Sequence, residues 1–343
     1  VSDCESQLLS SFFIIKKHSG GWRFILNLKR LNKFIIAPHF KLEDWKTVIR
    51  LISPDDFLAS IDLENAYLLL PIHQEDRKFL RFRFKGQLFE FKALPFGLAS
   101  GLASCIFTKI LKPVFYSLRE KGFLSVTYLD DFLIIAPSYD QCLKNIFVTR
   151  DVLLSLGFKI NERKSMLIPT KSCRYLGFIF DTEFFSISIP SDRRNKLLQA
   201  TLTILGMKSC KIRFFASYIG SLTSVCPAVQ YVAYQDPGER EKFLALVAAD
   251  ENFDAQISFP FSIRKDLLWW KSVFANSAHR NFIRSGVFSL EIFTDASLTG
   301  WGAVCGDART HGFWSAEKKI KLHQLSFSYF SCFKILCVSP KKL

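Results

Sequence analysis

The chain has 343 residues, 49% of them hydrophobic, which excludes a disordered tail and leaves material for two or three domains with cores of their own. Lys and Arg number 46 against 31 Asp and Glu, a formal charge of +15 that favours a polyanionic partner, with plain basic solubility as the alternative. Every long apolar stretch is broken by a charge well before about 18 residues, and no signal peptide opens the chain, so neither a membrane span nor secretion is expected. The nine cysteines are scattered, with no C-x-x-C pair and no His at zinc spacing, which fits a reduced intracellular compartment, cytoplasmic or nuclear, with no targeting signal readable. Residue 1 is Val and the two methionines are Met166 and Met207, so the chain reads as a piece of something longer.

In chain order, Phe12 to Lys17 and Trp22 to Leu28 are β-branched and aromatic runs around His18-Ser19-Gly20-Gly21, the pattern of a hairpin. Leu42 to Leu51 is helical in period, and Phe57 to Ile61 is a short buried strand ending at Asp62. Arg81 to Lys85 alternates basic and aromatic residues, giving one charged strand face and one apolar face, and Gly86-Gln87 turns the chain into a returning strand. The basic face could track phosphates, while Phe82 and Phe84 read as core. A helix is expected over Ala99 to Leu118. Val126 to Leu129 and Phe132 to Ile135 are two apolar runs joined at Asp130-Asp131, a hairpin with an acidic tip. An amphipathic helix over Tyr139 to Leu156 stops at Gly157, and Arg174 to Phe180 reads as one strand. From Ser191 to about Phe274 helical periodicity dominates, with Ile212, Phe215, Ile219, Leu222 and Val225 on one face and Leu267, Leu268 and Trp270 on a later one. Strands return over Phe288 to Thr294, Trp301 to Cys305 and Gly312 to Trp314, and this change near residue 285 is the expected domain boundary.

Asp62 and the Asp130-Asp131 pair sit where a rigid backbone can fix carboxylates, at a strand end and a hairpin tip. Nucleotidyl transfer with two divalent metals needs such hard oxygen ligands. Either acidic site alone is better read as ordinary turn chemistry, since Asp is common there for local hydrogen bonding. The neighbours reverse that balance. Tyr128-Leu129-Asp130-Asp131 resembles the Y-x-D-D signature of reverse transcriptases, and Ile61-Asp62-Leu63-Glu64-Asn65-Ala66-Tyr67 resembles their first catalytic motif. Leu94-Pro95-Phe96-Gly97-Leu98-Ala99-Ser100 is similar to the family's nucleotide- and template-contacting loop and helix. Ile15-Lys16-Lys17 with Trp22-Arg23, Leu31-Asn32-Lys33, Gly157-Phe158-Lys159-Ile160-Asn161 with Lys164, and Tyr175-Leu176-Gly177 complete the set in order. The resemblance covers about residues 7 to 185 and is greatest to retrotransposon enzymes of the gypsy and DIRS types.

The resemblance implies an α+β right-hand polymerase with fingers and palm over 1–185, a helical thumb or connection over 186–285, and a partial ribonuclease H-like α/β segment over 286–343. It implies RNA-directed DNA synthesis from deoxynucleoside triphosphates on a primed RNA or DNA template, with no membrane and with the oligomeric state left open. Two Mg²⁺ ions, or Mn²⁺ in their place, would be held by Asp62 and Asp130, with the Leu63 carbonyl as auxiliary ligand and Asp131 as a weaker or structural partner. Lys17 and Arg23 would hold the triphosphate, Phe96 and Gly97 would line the nucleotide site, and Tyr67 would exclude a 2′-hydroxyl. Lys164 would protonate pyrophosphate, and Tyr175-Leu176-Gly177 would form the primer grip. Lys208, Lys211 and Arg213 are candidate phosphate contacts.

Phe293-Thr294-Asp295-Ala296-Ser297 with Gly300-Trp301-Gly302-Ala303 resembles the opening of a ribonuclease H domain. That chemistry needs about four acids around two metals, and no Asp or Glu comes after Glu317, so Asp295 is read as a relic and hybrid cleavage is not expected. Gly97-Leu98-Ala99-Ser100 is repeated at once as Gly101-Leu102-Ala103-Ser104. Two extra residues inside a helix would rotate the rest of that helix by about 200°. The alternative to an enzyme is therefore a decayed remnant that only binds nucleic acid.

Overall fold

A computed structural model describes residues 7–16, 20–36, 40–95, 97–98, 100–230, 253–259, 261–283, 291–296, 299–313 and 334–336. The chain divides into two compact units, Val1–Ile283 and Arg284–Leu343.

The first unit opens with β1 (Phe12–Lys16) and β2 (Trp22–Leu26), paired antiparallel around the glycine-rich turn. Helix α1 spans Trp45–Leu51, starting three residues later than its periodicity suggests. The reason is Asp44, whose carboxylate accepts from the Lys46 and Thr47 amides while the Asp44 amide donates to the Thr47 hydroxyl, a capping box that sets the first turn.

Strand β3 (Phe57–Asp62) lies at the centre of the main sheet, with β4 (Arg81–Phe84) and β5 (Gln87–Glu90) forming a separate hairpin. Phe82 packs among Phe12, Phe24, Phe89 and Phe91, as a core face should. On the opposite face the phosphate-tracking expectation fails for Arg81, whose guanidinium pairs across the ladder with Glu90 at 3.1 Å and is only 12% exposed.

After β5 comes α2 (Ser100–Glu120), then β6 (Ser125–Tyr128), β7 (Asp131–Ala136) and α3 (Tyr139–Ser155). Ser138 caps α3, and Gly157 comes after it with φ +86°, a conformation that suits glycine. With β8 (Met166–Thr170) the main sheet runs β6-β7-β3-β8, and β3 and β7 are buried on both faces. Ala59, Ile61, Phe132 and Ile134 pack against α2 and α3, where Phe115 stacks on Phe132 at 4.6 Å. Leu58, Leu133 and Ile135 face the other way, into a second core built with the later strands and helices. Two-sided burial explains why these strands read as continuous apolar runs rather than alternating ones.

Ala103, Phe107, Leu111, Phe115 and Leu118 form a buried stripe at helical spacing along α2, which starts at the last residue of the first tetrapeptide copy and carries the second copy in its first turns. The core fixes the helix phase because rotating Phe107 and Phe115 into water would forfeit roughly 2–3 kcal/mol each.

The expected single strand over Arg174 to Phe180 is instead a hairpin, β9 (Ser172–Tyr175) and β10 (Phe178–Asp181), closed by Leu176-Gly177. Both turn residues have positive φ, +49° and +77°, the handedness that two-residue hairpins demand. Strands β11 (Ser186–Ser188) and β14 (Asn281–Phe282) complete that sheet in the order β14-β11-β10-β9. Between them lie α4 (Ser191–Gly206), α5 (Ile212–Thr223) and α6 (Phe261–Ala275), with a small ladder, β12 (Ser209–Lys211) on β13 (Gln256–Ser258), that periodicity does not reveal. Ile212, Phe215, Leu222 and Val225 are buried as expected and Ile219 partly so, whereas Leu268 is 55% exposed because the α6 core face runs through Ile263, Leu267, Trp270 and Phe274. Lys211 and Arg213 flank Asp254 at 3.6 and 3.4 Å, so both basic groups already have a carboxylate beside them.

The second unit contains β15 (Glu291–Ala296), β16 (Gly300–Cys305), β17 (Ala308–Phe313) and β18 (Lys334–Leu336), ordered β17-β16-β15-β18 with antiparallel neighbours. The third strand starts at Ala308 rather than Gly312 because the chain turns tightly at Gly306, φ +56°. Among the described residues no helix is long and apolar enough to cross a membrane.

Candidate active site at the end of the main sheet

Asp62 is the last residue of β3 and stands directly opposite Asp131, the first residue of β7, so their side chains leave the same face of the sheet. Asp130 occupies the two-residue tip between β6 and β7, beside Leu129, whose φ of +56° is unusual for a residue with a branched side chain. Such a conformation costs about 1–2 kcal/mol and persists only where surrounding contacts dictate it. The Leu63 amide supplies one such contact, donating to the Asp130 carbonyl at 2.9 Å and tying the strand end to the tip.

A third segment is pinned to the same strand. The Asn161 amide donates to the Asp62 carbonyl at 2.8 Å, the Glu64 amide to the Lys159 carbonyl at 2.8 Å, and the Asp62 amide to the Ser165 hydroxyl at 3.0 Å. These bonds bring Lys164 Nζ to 3.4 Å from Asp62 Oδ2, with the lysine 61% exposed and the aspartate 12%.

Three carboxylates thus share one small region. Burial, contact with Asp62 and the Asp130 charge together push the Asp131 carboxyl up to about 7. Asp130 is also raised, chiefly by burial and further by Asp62, against the opposing pull of Lys164 and Arg23. Arg23, on β2, is therefore close enough for its charge to be felt at Asp130. Asp62 Oδ1 is buried and has no hydrogen-bond donor. A buried, donorless carboxylate oxygen among raised acids is what a cation would relieve. Among the described residues no three His, Cys, Asp or Glu side chains form a ready-made metal cage.

Tyr67 lies just beyond Asn65, a left-handed residue, on a 3₁₀ turn and stacks obliquely on Phe107 at 4.9 Å. Burial raises its hydroxyl pKa, a hydrogen bond with Ser104 lowers it, and the Asp130 charge raises it. Ser104 belongs to the second copy of the repeated tetrapeptide, so that copy contacts the site. Gly97 has φ +108°, its carbonyl accepts from Asn32 Nδ2 at 3.0 Å, and a Cβ there would lie 2.3 Å from the Leu26 carbonyl oxygen. Only glycine fits that approach, which docks the loop onto the end of β2.

Lys17 and Phe96 lie outside the described residues. Asp62, Leu63, Asp130, Asp131, Tyr67 and Lys164 are brought together. Tyr175, expected in the primer grip, is instead 3% exposed beneath the hairpin, its hydroxyl directed at the Val126 and Asp131 carbonyls. Leu176 and Gly177 form the turn above it, where Arg193 Nη1 donates to the Gly177 carbonyl at 3.1 Å. Asp295 is paired with Gly302 in the second unit. Sequence reasoning misses Glu43, Arg119 and Ser165, which carry no motif, and reads Ser104 only as part of the repeated tetrapeptide.

The antiparallel sheet presents an acid at a strand end beside an acidic hairpin tip, backed by two helices, and solved structures of similar fold are those of a viral reverse transcriptase. Residues 15–180 match the family of reverse transcriptases (RNA-dependent DNA polymerases). The chain is 27% identical over 158 residues to the retrovirus-related Pol polyprotein from transposon gypsy of Drosophila melanogaster, covering 46% of this chain and 15% of that one. It is 30% identical over 178 residues to the Gag-Pro-Pol polyprotein of squirrel monkey retrovirus, covering 48% and 9%. The matched region is thus a small part of those polyproteins. In fold the chain is similar to the foamy viral protease-reverse transcriptase solved in complex with dsDNA, with TM-score 0.66, 16% identity and coverage of 92% and 65%. The same viral protein solved with an RNA/DNA hybrid gives TM-score 0.62, 15% identity and coverage of 94% and 43%.

Proposed function

We propose that this chain is the polymerase core of a retrotransposon-type polyprotein, extending a primer with deoxynucleotides on an RNA or DNA template. The observation that carries this reading is the opposition of Asp62 and Asp131 beside Asp130, with a buried Asp62 oxygen that lacks a donor. Asp62 and Asp130, with the Leu63 carbonyl, would hold two Mg²⁺ ions, or Mn²⁺, and Asp131 would tune their charge. Bound there, the ions supply an activated primer hydroxyl and a stabilised pyrophosphate. Arg23 and Lys17 would orient the triphosphate, with the Phe96-Gly97 loop beside it, and Tyr67 would pack against the sugar. Lys164, already reaching Asp62, would donate a proton to the departing pyrophosphate. The +15 charge suits a duplex-binding channel, and the foamy viral relatives, solved with dsDNA and with a hybrid, support nucleic acid as the partner.

In this reading residues 1–185 are fingers and palm, 186–285 thumb or connection, and 286–343 a partial ribonuclease H-like segment. The antiparallel β15, β16 and β17 support the last assignment, with Asp295 as a relic without its partner acids.

The test is primer extension on poly(rA)/oligo(dT) with Mg²⁺, run beside Asp130→Asn and Asp62→Asn. Extension that both variants abolish is expected. No extension by the parent chain, with salt-sensitive duplex binding retained, would establish the remnant instead.

A further inference from the structure

Strand β6 is an edge of the main sheet, so part of its backbone has no neighbouring strand to pair with. Two of those outward groups are taken by side chains. Glu43 Oε2 accepts from the Thr127 amide at 2.6 Å and the Thr127 hydroxyl at 3.1 Å, and Arg119 Nε donates to the Ser125 carbonyl at 3.1 Å. Arg119 Nη2 also donates to the same Glu43 oxygen at 2.7 Å, so the two residues form one clamp along the strand leading to Asp130. The hydroxyl of Tyr175 is shared between the Val126 carbonyl at 3.1 Å and the Asp131 carbonyl at 3.2 Å, one on each arm of the hairpin. Nothing else in the packing requires a hydroxyl there, since the ring lies in an apolar cluster with Cys173, Phe178 and Phe180.

We propose that Glu43 and Tyr175 are positioning residues that hold the β6–β7 hairpin, and with it Asp130 and Asp131, in the geometry that nucleotide addition needs. The proposal rests on the polymerase reading for its consequence but not for its geometry. Leu129 at the tip keeps a positive φ, and the two braces lock the residues on either side of it. Glu43 acts on one arm from the open edge, and Tyr175 acts on both arms from below.

Two variants test this with two readouts. Tyr175→Phe keeps the ring and removes only the hydroxyl, and Glu43→Gln keeps the shape and removes the charge. In amide hydrogen exchange, the segment 124–132 is expected to exchange about tenfold faster in either variant, as loss of the tyrosine hydrogen bond or of the carboxylate's charge assistance implies, while α3 and β10 stay unchanged. In primer extension, kcat is expected to fall about tenfold with the deoxynucleotide KM held, and half-maximal Mg²⁺ to rise. Lys171→Ala, at a surface ion pair with Asp55, should alter neither readout. Unchanged exchange in the hairpin overturns the proposal, and so does acceleration spread evenly over the chain, which marks a merely structural role. Local acceleration in the variants of a parent chain that extends no primer supports the bracing and overturns the polymerase reading.

Discussion

Asp131 and Asp62 confront each other across the β3–β7 ladder, and the carboxyl of Asp131 carries a pKa raised from 3.8 to about 7. A carboxyl raised in the folded state binds its proton more tightly there than in the unfolded chain. Its stabilising contribution is complete below about pH 4 and is lost as pH rises through about 7. Thermal melts of the chain in EDTA should therefore show a loss across that window which Asp131→Asn reduces. Adding Mg²⁺ at about pH 7.5 should raise the parent's Tm by favouring the ionised folded form. An identical pH profile in the variant would contradict this account.

Lys164 is exposed and makes one ion pair, so its removal should cost little stability, within about 1 kcal/mol. Lys164→Gln is expected to lower kcat by roughly a hundredfold if the lysine donates the pyrophosphate proton. Tm and KM should change little. Steady-state kinetics beside a melt separate these effects, and an unaltered kcat would assign Lys164 to charge balance alone.

Gly97 admits no side chain, because its φ is +108° and a Cβ would sit 2.3 Å from the Leu26 carbonyl oxygen. Gly97→Ala should destabilise the fold by about 2 kcal/mol or more, from left-handed strain plus the clash. Urea unfolding measures it. A loss below about 0.5 kcal/mol would mean the loop detaches from β2 at little cost.

Tyr67 is held between Phe107 and the Ser104 hydroxyl. Removing the ring in Tyr67→Ala should raise ribonucleotide incorporation relative to deoxynucleotide by roughly 10- to 200-fold, the range for a steric contact of this size. Ser104→Ala should give a smaller rise by loosening the ring. Competition assays with the two nucleotide types at one template position read both, and no rise in Tyr67→Ala would remove the residue from sugar selection.

The motifs were legible because their chemistry is local. A β-branched run ending in Asp, an acidic pair between two apolar runs, and Gly157 after an amphipathic helix each announce their own backbone geometry. Leu176-Gly177 reads as strand in the sequence because one glycine between apolar residues fits a turn or a bulge equally well, and the pairing of Tyr175 with Phe178 makes it a turn. Arg81 looked like a phosphate contact until its cross-strand neighbour Glu90 was in place. Glu43 was invisible for a stronger reason. Its partners Arg119 and Thr127 lie 76 and 84 residues away, and no periodicity links them.

The order of the motifs, the acid at the end of β3 and the acids at a hairpin tip are legible from local residues, since strand period and turn chemistry act over a few positions. That Asp62 faces Asp131, that Lys164 reaches across 102 residues to Asp62, and that Tyr175 lies under the hairpin rather than on its surface emerge from the folded chain alone. Those relationships depend on register between distant strands and on which face of the sheet each core covers. Both are set by burying apolar surface on two sides at once, a condition that no local stretch of residues can satisfy alone.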